Sequence, residues 1–142
     1  MSNISGKKIV IDLDDTLSRT TEGKYNESVP VPAVVDTLKE YHDRGYEIII
    51  YSSRNMRTYE GNIGKITLNT VPLILDFLKK YDIPCDQLVM GKPWCGKGGF
   101  YVDDKSIRPS EFVSHSEEEI QQILAEETET VRKMSNGDKV FQ

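Results

Sequence analysis

Acidic residues follow an apolar run near the start of the chain, in Ile9-Val10-Ile11-Asp12-Leu13-Asp14-Asp15-Thr16. Side chains alternate along a strand, so Asp12 and Asp14 can share one side while Leu13 points to the other. Two neighbouring carboxylates repel each other, and magnesium, which prefers hard oxygen ligands, would make the pair tolerable. A phosphoryl group held there would face one carboxylate that can attack phosphorus and another that can donate a proton. An ordinary solvated acidic turn explains the same segment taken alone.

Further polar residues follow three later apolar runs, in Ser52-Ser53-Arg54, Gly91-Lys92-Pro93 and Asp103-Asp104. A hydroxyl can hydrogen-bond a phosphoryl oxygen, and a lysine can neutralise both a carboxylate and a phosphate. Acidic residues directly after a buried strand are unfavourable unless they are paired or bound to a metal. Taken alone, the serines fit an ordinary turn better and the lysine fits a solvated surface residue, while Asp103-Asp104 fits metal binding and a solvated turn equally. The joint pattern, however, is hard to obtain by chance.

The elements that must position these residues alternate between strands and helices. We predict strands at 8–13, 46–51, 87–90 and 99–102, and helices from Pro30 and Pro32 to about 44, at 71–81 and at 116–134. Gly45 is expected to end the first helix, Ser116 with Glu119 to form a capping box for the last, and 54–69 to be a long loop. This order predicts an α/β fold with a mostly parallel sheet covered by helices on both faces, and ligands beyond the carboxyl ends of its strands.

Composition narrows the class of protein. The chain has 142 residues with 37% hydrophobic residues, which predicts one globular domain over 1–142. A net charge of -5 with no basic patch argues against nucleic acid as a partner. No apolar stretch is long enough for a membrane span and the N-terminus does not resemble a signal peptide, so we expect a cytoplasmic protein with no membrane partner. Cys85 and Cys95 are expected to be reduced thiols.

From about Lys7 to Phe112 the chain resembles the haloacid dehalogenase (HAD) superfamily, on the motifs quoted above. The resemblance implies a Rossmann-like three-layer α/β/α sandwich with a C-terminal helix outside its core. It assigns Asp12 as the nucleophile that forms an aspartyl-phosphate and Asp14 as the acid/base residue. It further implies that Thr16 supports the loop, that Ser52 binds phosphate, and that Lys92 is the motif lysine, with Lys97 as the alternative.

The same resemblance implies Mg²⁺ as the cofactor. Its ligands would be Asp12, the backbone carbonyl at Asp14, and Asp104, with Asp103 nearby or on a metal-bound water. An Asp at position 14 resembles the phosphatase and phosphomutase branches of the superfamily.

The expected substrate is a small phosphorylated molecule. Too few residues separate Asp14 from Ile50 for a cap domain, so the chain resembles capless or minimal-cap members, which act on partner-presented substrates or complete their sites as homo-oligomers. Ser-Ser-Arg-Asn-Met-Arg and Gly-Lys-Pro-Trp resemble small HAD phosphatases of capsular polysaccharide biosynthesis, which implies a sugar phosphate. The expected substrate-binding residues are Thr16, Ser53, Arg54, Asn55 and Arg57.

Several alternatives remain open. A bacterial receiver domain has similar residue types, but its phosphorylated Asp lies mid-chain, and no Asp ends the second strand here. A phosphoprotein phosphatase is an alternative within the enzyme class, because capless members can accept macromolecules. A non-catalytic HAD-like binding module is the other, although every core motif residue is present.

Overall fold

A computed structural model describes residues 6–21 and 23–141. The chain divides into two compact units, the first ending at Gly96 and the second beginning at Lys97. In the first unit the described strands are β1 (Lys8–Asp12), β2 (Ser18–Arg19), β3 (Val29–Pro30), β4 (Glu47–Ser52) and β5 (Gln87–Met90). Its helices are α1 (Pro32–Asp43), α2 (Ile63–Asn69) and α3 (Val71–Lys80), and Tyr25–Glu27 form a short 3-10 helix.

The main sheet of the first unit is parallel, with the strand order β1-β4-β5. Asp12 of β1 pairs with Tyr51 of β4, which pairs in turn with Val89 of β5. The carboxyl ends of all three strands therefore meet at one edge of the sheet. Ile48 and Ile50 of the central strand are completely buried, as expected for β-branched residues inside a parallel sheet.

The parallel sheet and its flanking helices confirm the predicted fold class, a Rossmann-like α/β/α arrangement. Helix α1 buries Val34, Leu38 and Tyr41, which the helical period places on one face. Gly45 has φ 95°, the left-handed conformation that favours glycine just after a helix. Helix α3 and strand β5 also occur where they were predicted.

Two predicted elements of the first unit are wrong in part. Residues 54–69 are not all loop, because α2 occupies the second half of the segment. The Asn62 side chain caps this helix by accepting a 3.0 Å hydrogen bond from the Lys65 amide, and Ile66 is fully buried. These interactions outweigh the low helix propensity of Gly64. Pro30 lies in β3, and the helix begins instead at Pro32, the favoured first position.

The segment from Ser18 to Pro30, which we call the flap, was not resolved into elements by the sequence. Strands β2 and β3 pair antiparallel in it, with Ser18 opposite Pro30 and Arg19 opposite Val29. The 3-10 helix Tyr25–Glu27 lies between them in the chain. Two-residue strands are too short to leave an alternating pattern, which is why the sequence did not predict them.

The second unit contains α4 (Pro109–Ser114) and α5 (Glu117–Ser135). The predicted capping box is confirmed, because the Glu119 amide donates to Ser116 Oγ at 3.1 Å and the Ser116 amide donates to Glu119 Oε1 at 2.8 Å. The predicted strand at 99–102 is wrong: the segment has no strand structure, and Phe100 and Val102 are 80% and 89% exposed. Its apolar run is short and follows Gly98 and Gly99, whose backbone freedom opposes an extended strand. None of the described helices has the length and apolar character needed to cross a membrane.

Candidate active site

Asp12 is the last residue of β1, and Lys92 follows β5 at the same edge of the sheet. Lys92 Nζ lies 3.4 Å from Asp12 Oδ1, and Thr16 Oγ1 donates to Asp12 Oδ2 at 3.3 Å. Both side chains of the ion pair are partly exposed, at 33% for Asp12 and 19% for Lys92. The structure thus brings two predicted site residues, Thr16 and Lys92, against the Asp12 carboxylate, which solvent can still reach.

The environment of Asp12 contains opposing electrostatic effects. Burial raises the pKa of its carboxyl group above the ordinary value of 3.8, and the nearby Asp14 also raises it. Lys92 and the Thr16 hydroxyl act in the opposite direction, since both favour the ionised form. The net pKa is raised, so burial is the dominant effect. A positive ligand at this carboxylate would relieve that unfavourable desolvation.

Asp14 is held by Arg54 through both carboxylate oxygens. Arg54 Nη2 donates to Oδ1 at 2.6 Å and Nε donates to Oδ2 at 3.1 Å, an arrangement that only the planar guanidinium can make. Arg54 is 4% exposed as a whole residue, and a quarter of the Asp14 side chain is exposed. Leu13 is fully buried, as expected if it points away from both aspartates.

A tight turn after β1 orients these aspartates. The Leu13 carbonyl accepts hydrogen bonds from the amides of Leu17 (2.9 Å) and Ser18 (3.0 Å), while the Asp15 amide donates to the Ser18 carbonyl at 2.7 Å. Asp15 has φ 63°, a left-handed conformation that Asp tolerates better than most residues. Such conformations persist where surrounding bonds enforce them, and they are common at functional sites.

Ser52 ends β4 and is 1% exposed. Its hydroxyl oxygen accepts a 3.0 Å hydrogen bond from the Arg54 amide, and its carbonyl accepts a 3.1 Å bond from the Lys92 amide. Ser52 therefore ties together the turn that carries Arg54 and the loop that carries Lys92. The half-buried Ser53 takes part in the same turn, through its carbonyl, which accepts from the Met56 amide at 3.0 Å.

Asn55 and Arg57 occupy the turn after β4. The side-chain amide of Asn55 makes two hydrogen bonds within the protein. Its oxygen accepts from Thr70 Oγ1 at 2.8 Å, and its nitrogen donates to Thr58 Oγ1 at 3.2 Å. Arg57 is exposed, and its guanidinium lies 5.6 Å from the centre of the Trp94 ring, which is 45% exposed. Of these predicted substrate-binding residues, Arg57 is the one presented to solvent beside an aromatic ring.

Asp103, Asp104 and Lys97 belong to the second unit, and all three are exposed. Asp103 Oδ1 accepts a 2.9 Å hydrogen bond from the Lys105 amide, and this bond lowers the pKa of the carboxyl group. Their functional roles remain predictions. Among the described residues of the first unit, no three His, Cys, Asp or Glu side chains form a group that could hold a metal ion.

Tyr25 was not among the residues predicted for the site. Its ring lies 4.3 Å from the Arg54 guanidinium carbon, which connects the flap to the Asp14 pair. No periodicity or motif links these residues in the chain, so only the three-dimensional structure could reveal the contact. A separate groove lined by Leu75, Leu78 and Ile83 lies near the amino end of β5 and includes none of the predicted site residues.

The fold is that of a Rossmann-like α/β protein, and a charged cluster lies at the carboxyl edge of its sheet. No protein-family model and no curated protein matches the chain. A crystal structure of an MCSG target protein from Vibrio cholerae is 49% identical, with a TM-score of 0.83, over 85% of this chain and 98% of that one. The chain belongs to the same family as this Vibrio cholerae protein.

Two further similar chains come from structures of a Pnkp1/Rnl/Hen1 complex, one of them described as an RNA repair complex. They are 28% and 26% identical over 63% and 81% of this chain, with TM-scores of 0.43 and 0.46. This chain spans only 27% and 37% of their lengths.

Proposed function

We propose that this protein is a HAD-type phosphomonoester hydrolase that uses Asp12 as its nucleophile and requires Mg²⁺. The observation that carries the proposal is the Lys92–Asp12 pair, 3.4 Å apart at the carboxyl edge of a parallel sheet. Asp14 lies beside it after the same strand. A nucleophilic carboxylate, a cation and a second carboxylate are the groups that a phosphoryl transfer to an enzyme carboxylate needs.

The proposed reaction has two displacement steps. A carboxylate oxygen of Asp12 forms a bond to phosphorus while the ester P–O bond breaks, and Asp14 donates a proton to the departing alcohol. Asp14 then takes a proton from water, whose oxygen attacks phosphorus and releases Asp12 and inorganic phosphate. Lys92 offsets the charge that spreads over the phosphoryl oxygens in both transition states.

The oxygen donors of the first unit are of the kind that magnesium prefers. The Asp12 carboxylate and the Asp14 backbone carbonyl would hold the ion, and the raised pKa of Asp12 is what a neighbouring cation would correct. Asp104 and Asp103 are the further ligands that the HAD resemblance assigns. When bound, the ion would neutralise negative charge on the phosphoryl group.

We further propose a phosphorylated sugar or a similar small metabolite as the substrate, in capsular polysaccharide biosynthesis. Between β1 and β4 the described residues form only the flap and α1, with no cap domain to enclose a ligand. The exposed Trp94 ring and the neighbouring Arg57 offer an apolar face and a cation, which suit a compact ligand with a ring and an anionic or hydroxyl group.

The proposal is tested by phosphate release from a panel of sugar phosphates, other phosphorylated metabolites and a phosphoserine peptide, with Mg²⁺ titrated against EDTA. We expect turnover of at least one small ester that requires Mg²⁺ and disappears in Asp12→Asn. Asp15→Asn is the matched control, because Asp15 is exposed in the same turn and Asn tolerates its positive φ. Turnover of the peptide alone would favour a phosphoprotein phosphatase. No turnover at any Mg²⁺ concentration would leave a binding module.

A further inference from the structure

Arg54 is a charged residue that is buried in the turn after β4. Its side chain is 2% exposed, and two of its nitrogen atoms bond both oxygens of Asp14. Its own backbone amide is anchored to Ser52 Oγ at the end of β4. The guanidinium therefore cannot move far without breaking a partly buried bidentate pair, and Asp14 cannot rotate while that pair persists.

The flap supports the same guanidinium through Tyr25. The ring centre lies 4.3 Å from the Arg54 guanidinium carbon, within the usual range of a cation–π contact. Burial raises the pKa of the Tyr25 phenol, with the Asp14 charge acting in the same direction, so the ring stays neutral at physiological pH. Tyr25 and Asp14 thus restrain Arg54 through two different kinds of contact.

We propose that Arg54 is a positioning residue, which orients the Asp14 carboxylate for proton transfer to the leaving group, and that Tyr25 holds Arg54 in place. This inference rests on the proposed function. It assigns Arg54 a role through Asp14 in place of the direct substrate contact expected from the sequence. Lysine is a poor replacement, because its single nitrogen cannot make the two parallel hydrogen bonds that the rigid guanidinium fork makes with a carboxylate.

If Arg54 positions Asp14, the loss of rate in an Arg54 variant should depend on the leaving group of the substrate. An alkyl phosphate needs a proton on its departing oxygen, whereas p-nitrophenolate departs readily without one. In Arg54→Lys, kcat/KM, which reports the steps up to departure of the alcohol, should fall roughly 100-fold for the best alkyl or sugar phosphate. It should fall by less than about tenfold for p-nitrophenyl phosphate, since general acid catalysis is typically worth 10²–10⁴. Tyr25→Leu should show the same selective loss to a smaller degree. Tyr25→Phe retains the ring and should restore the wild-type ratio of the two rates.

Thermal unfolding of each variant separates positioning from loss of the fold. If Arg54→Lys does not fold, the Tyr25→Leu and Tyr25→Phe pair provides the same comparison at a partly exposed residue. Equal losses on both esters in folded variants would overturn the positioning role while leaving the phosphatase proposal intact. A wild-type protein that hydrolyses neither ester would instead contradict the proposed function itself.

Discussion

The Lys92 ammonium group lies 3.4 Å from Asp12 Oδ1, although 80 positions separate the two residues in the chain. The sheet produces this contact, because β1 and β5 both lie parallel to β4 and their carboxyl ends reach the same edge. The Lys92 amide also donates to the Ser52 carbonyl, which holds the lysine loop against the central strand. The pair is therefore a product of strand register, and its electrostatic consequences can be measured.

Replacing Lys92 by Met should raise the pKa of Asp12 further, because Lys92 favours the ionised carboxylate. The acid limb of the pH profile of kcat/KM should move to higher pH, since Asp12 must be ionised to attack. Loss of the cation should also lower kcat by about 10²–10³. Lys79→Met, at an exposed position of α3, is the control. An unchanged acid limb in Lys92→Met would show that the lysine does not act on Asp12.

Asp12→Asn should make the protein more stable at neutral pH when EDTA removes divalent metal ions. The folded-state pKa of Asp12 is raised above 3.8, so the folded state binds the proton more tightly than the unfolded state does. Stability of the wild type therefore falls as pH rises from the unfolded to the folded pKa, and above the folded pKa that loss is complete. Asn carries no charge, so this loss of stability is absent in the variant.

The free energy of unfolding in urea, measured from pH 7 downward, tests this expectation. The advantage of Asp12→Asn should shrink as pH falls through the raised pKa towards 3.8. A variant less stable than wild type at pH 7 would mean that the Lys92 pair outweighs desolvation at this site.

Much of the fold could be predicted from local patterns. The apolar runs of β1, β4 and β5 and the periodic faces of α1 and α3 are local patterns. The order of these elements along the chain could therefore be predicted from the sequence. The strand predicted at 99–102 is absent, because a short apolar run after two glycines does not specify whether a partner strand is available. Helix α2 was missed because its support comes from the Asn62 cap and the burial of Ile66.

Thr70→Val should destabilise the turn that carries Arg54 and Arg57. Thr70 is 2% exposed, and its hydroxyl donates to Asn55 Oδ1 at 2.8 Å, so valine would leave that oxygen without this donor. We expect a loss of about 1–3 kcal/mol in urea unfolding and a lower kcat/KM. Thr67→Val is the matched control, because its exposed hydroxyl bonds only the Ile63 carbonyl of its own helix. Equal losses in the two variants would contradict a specific role for the Asn55 bond.

Gly91→Ala should strain the loop that carries Lys92. Gly91 has φ +92°, and a Cβ built there would lie 2.9 Å from Ile63 Cδ1. Gly96→Ala isolates the backbone strain of about 1–2 kcal/mol, because Gly96 has φ +82° and nothing within 4 Å of its Cβ position. Gly91→Ala should lose more stability and more activity than Gly96→Ala, and Ile63→Val should recover part of the difference. Identical effects at both glycines would exclude the contact with Ile63 as a cause.

The site was less predictable than the fold. Motif spacing selected Asp12, Asp14, Ser52 and Lys92, and the structure places all four near the carboxyl edge of the sheet. Motif spacing could not show that the Ser52 hydroxyl accepts a hydrogen bond from the Arg54 backbone amide. Nor could it show that the side-chain oxygen of Asn55 accepts one from the Thr70 hydroxyl. These contacts depend on where turns fold in space, which residue types alone do not specify.

In the proposed mechanism Asp12 becomes phosphorylated during turnover. Enzyme that is turning over its best ester with Mg²⁺ should be quenched with borohydride, which reduces an acyl phosphate to an alcohol, and its peptides analysed by mass spectrometry. We predict homoserine at position 12, its absence when substrate is omitted, and its absence in Asp12→Asn. Reduction at another carboxylate, or turnover by Asp12→Asn at the wild-type rate, would contradict the account.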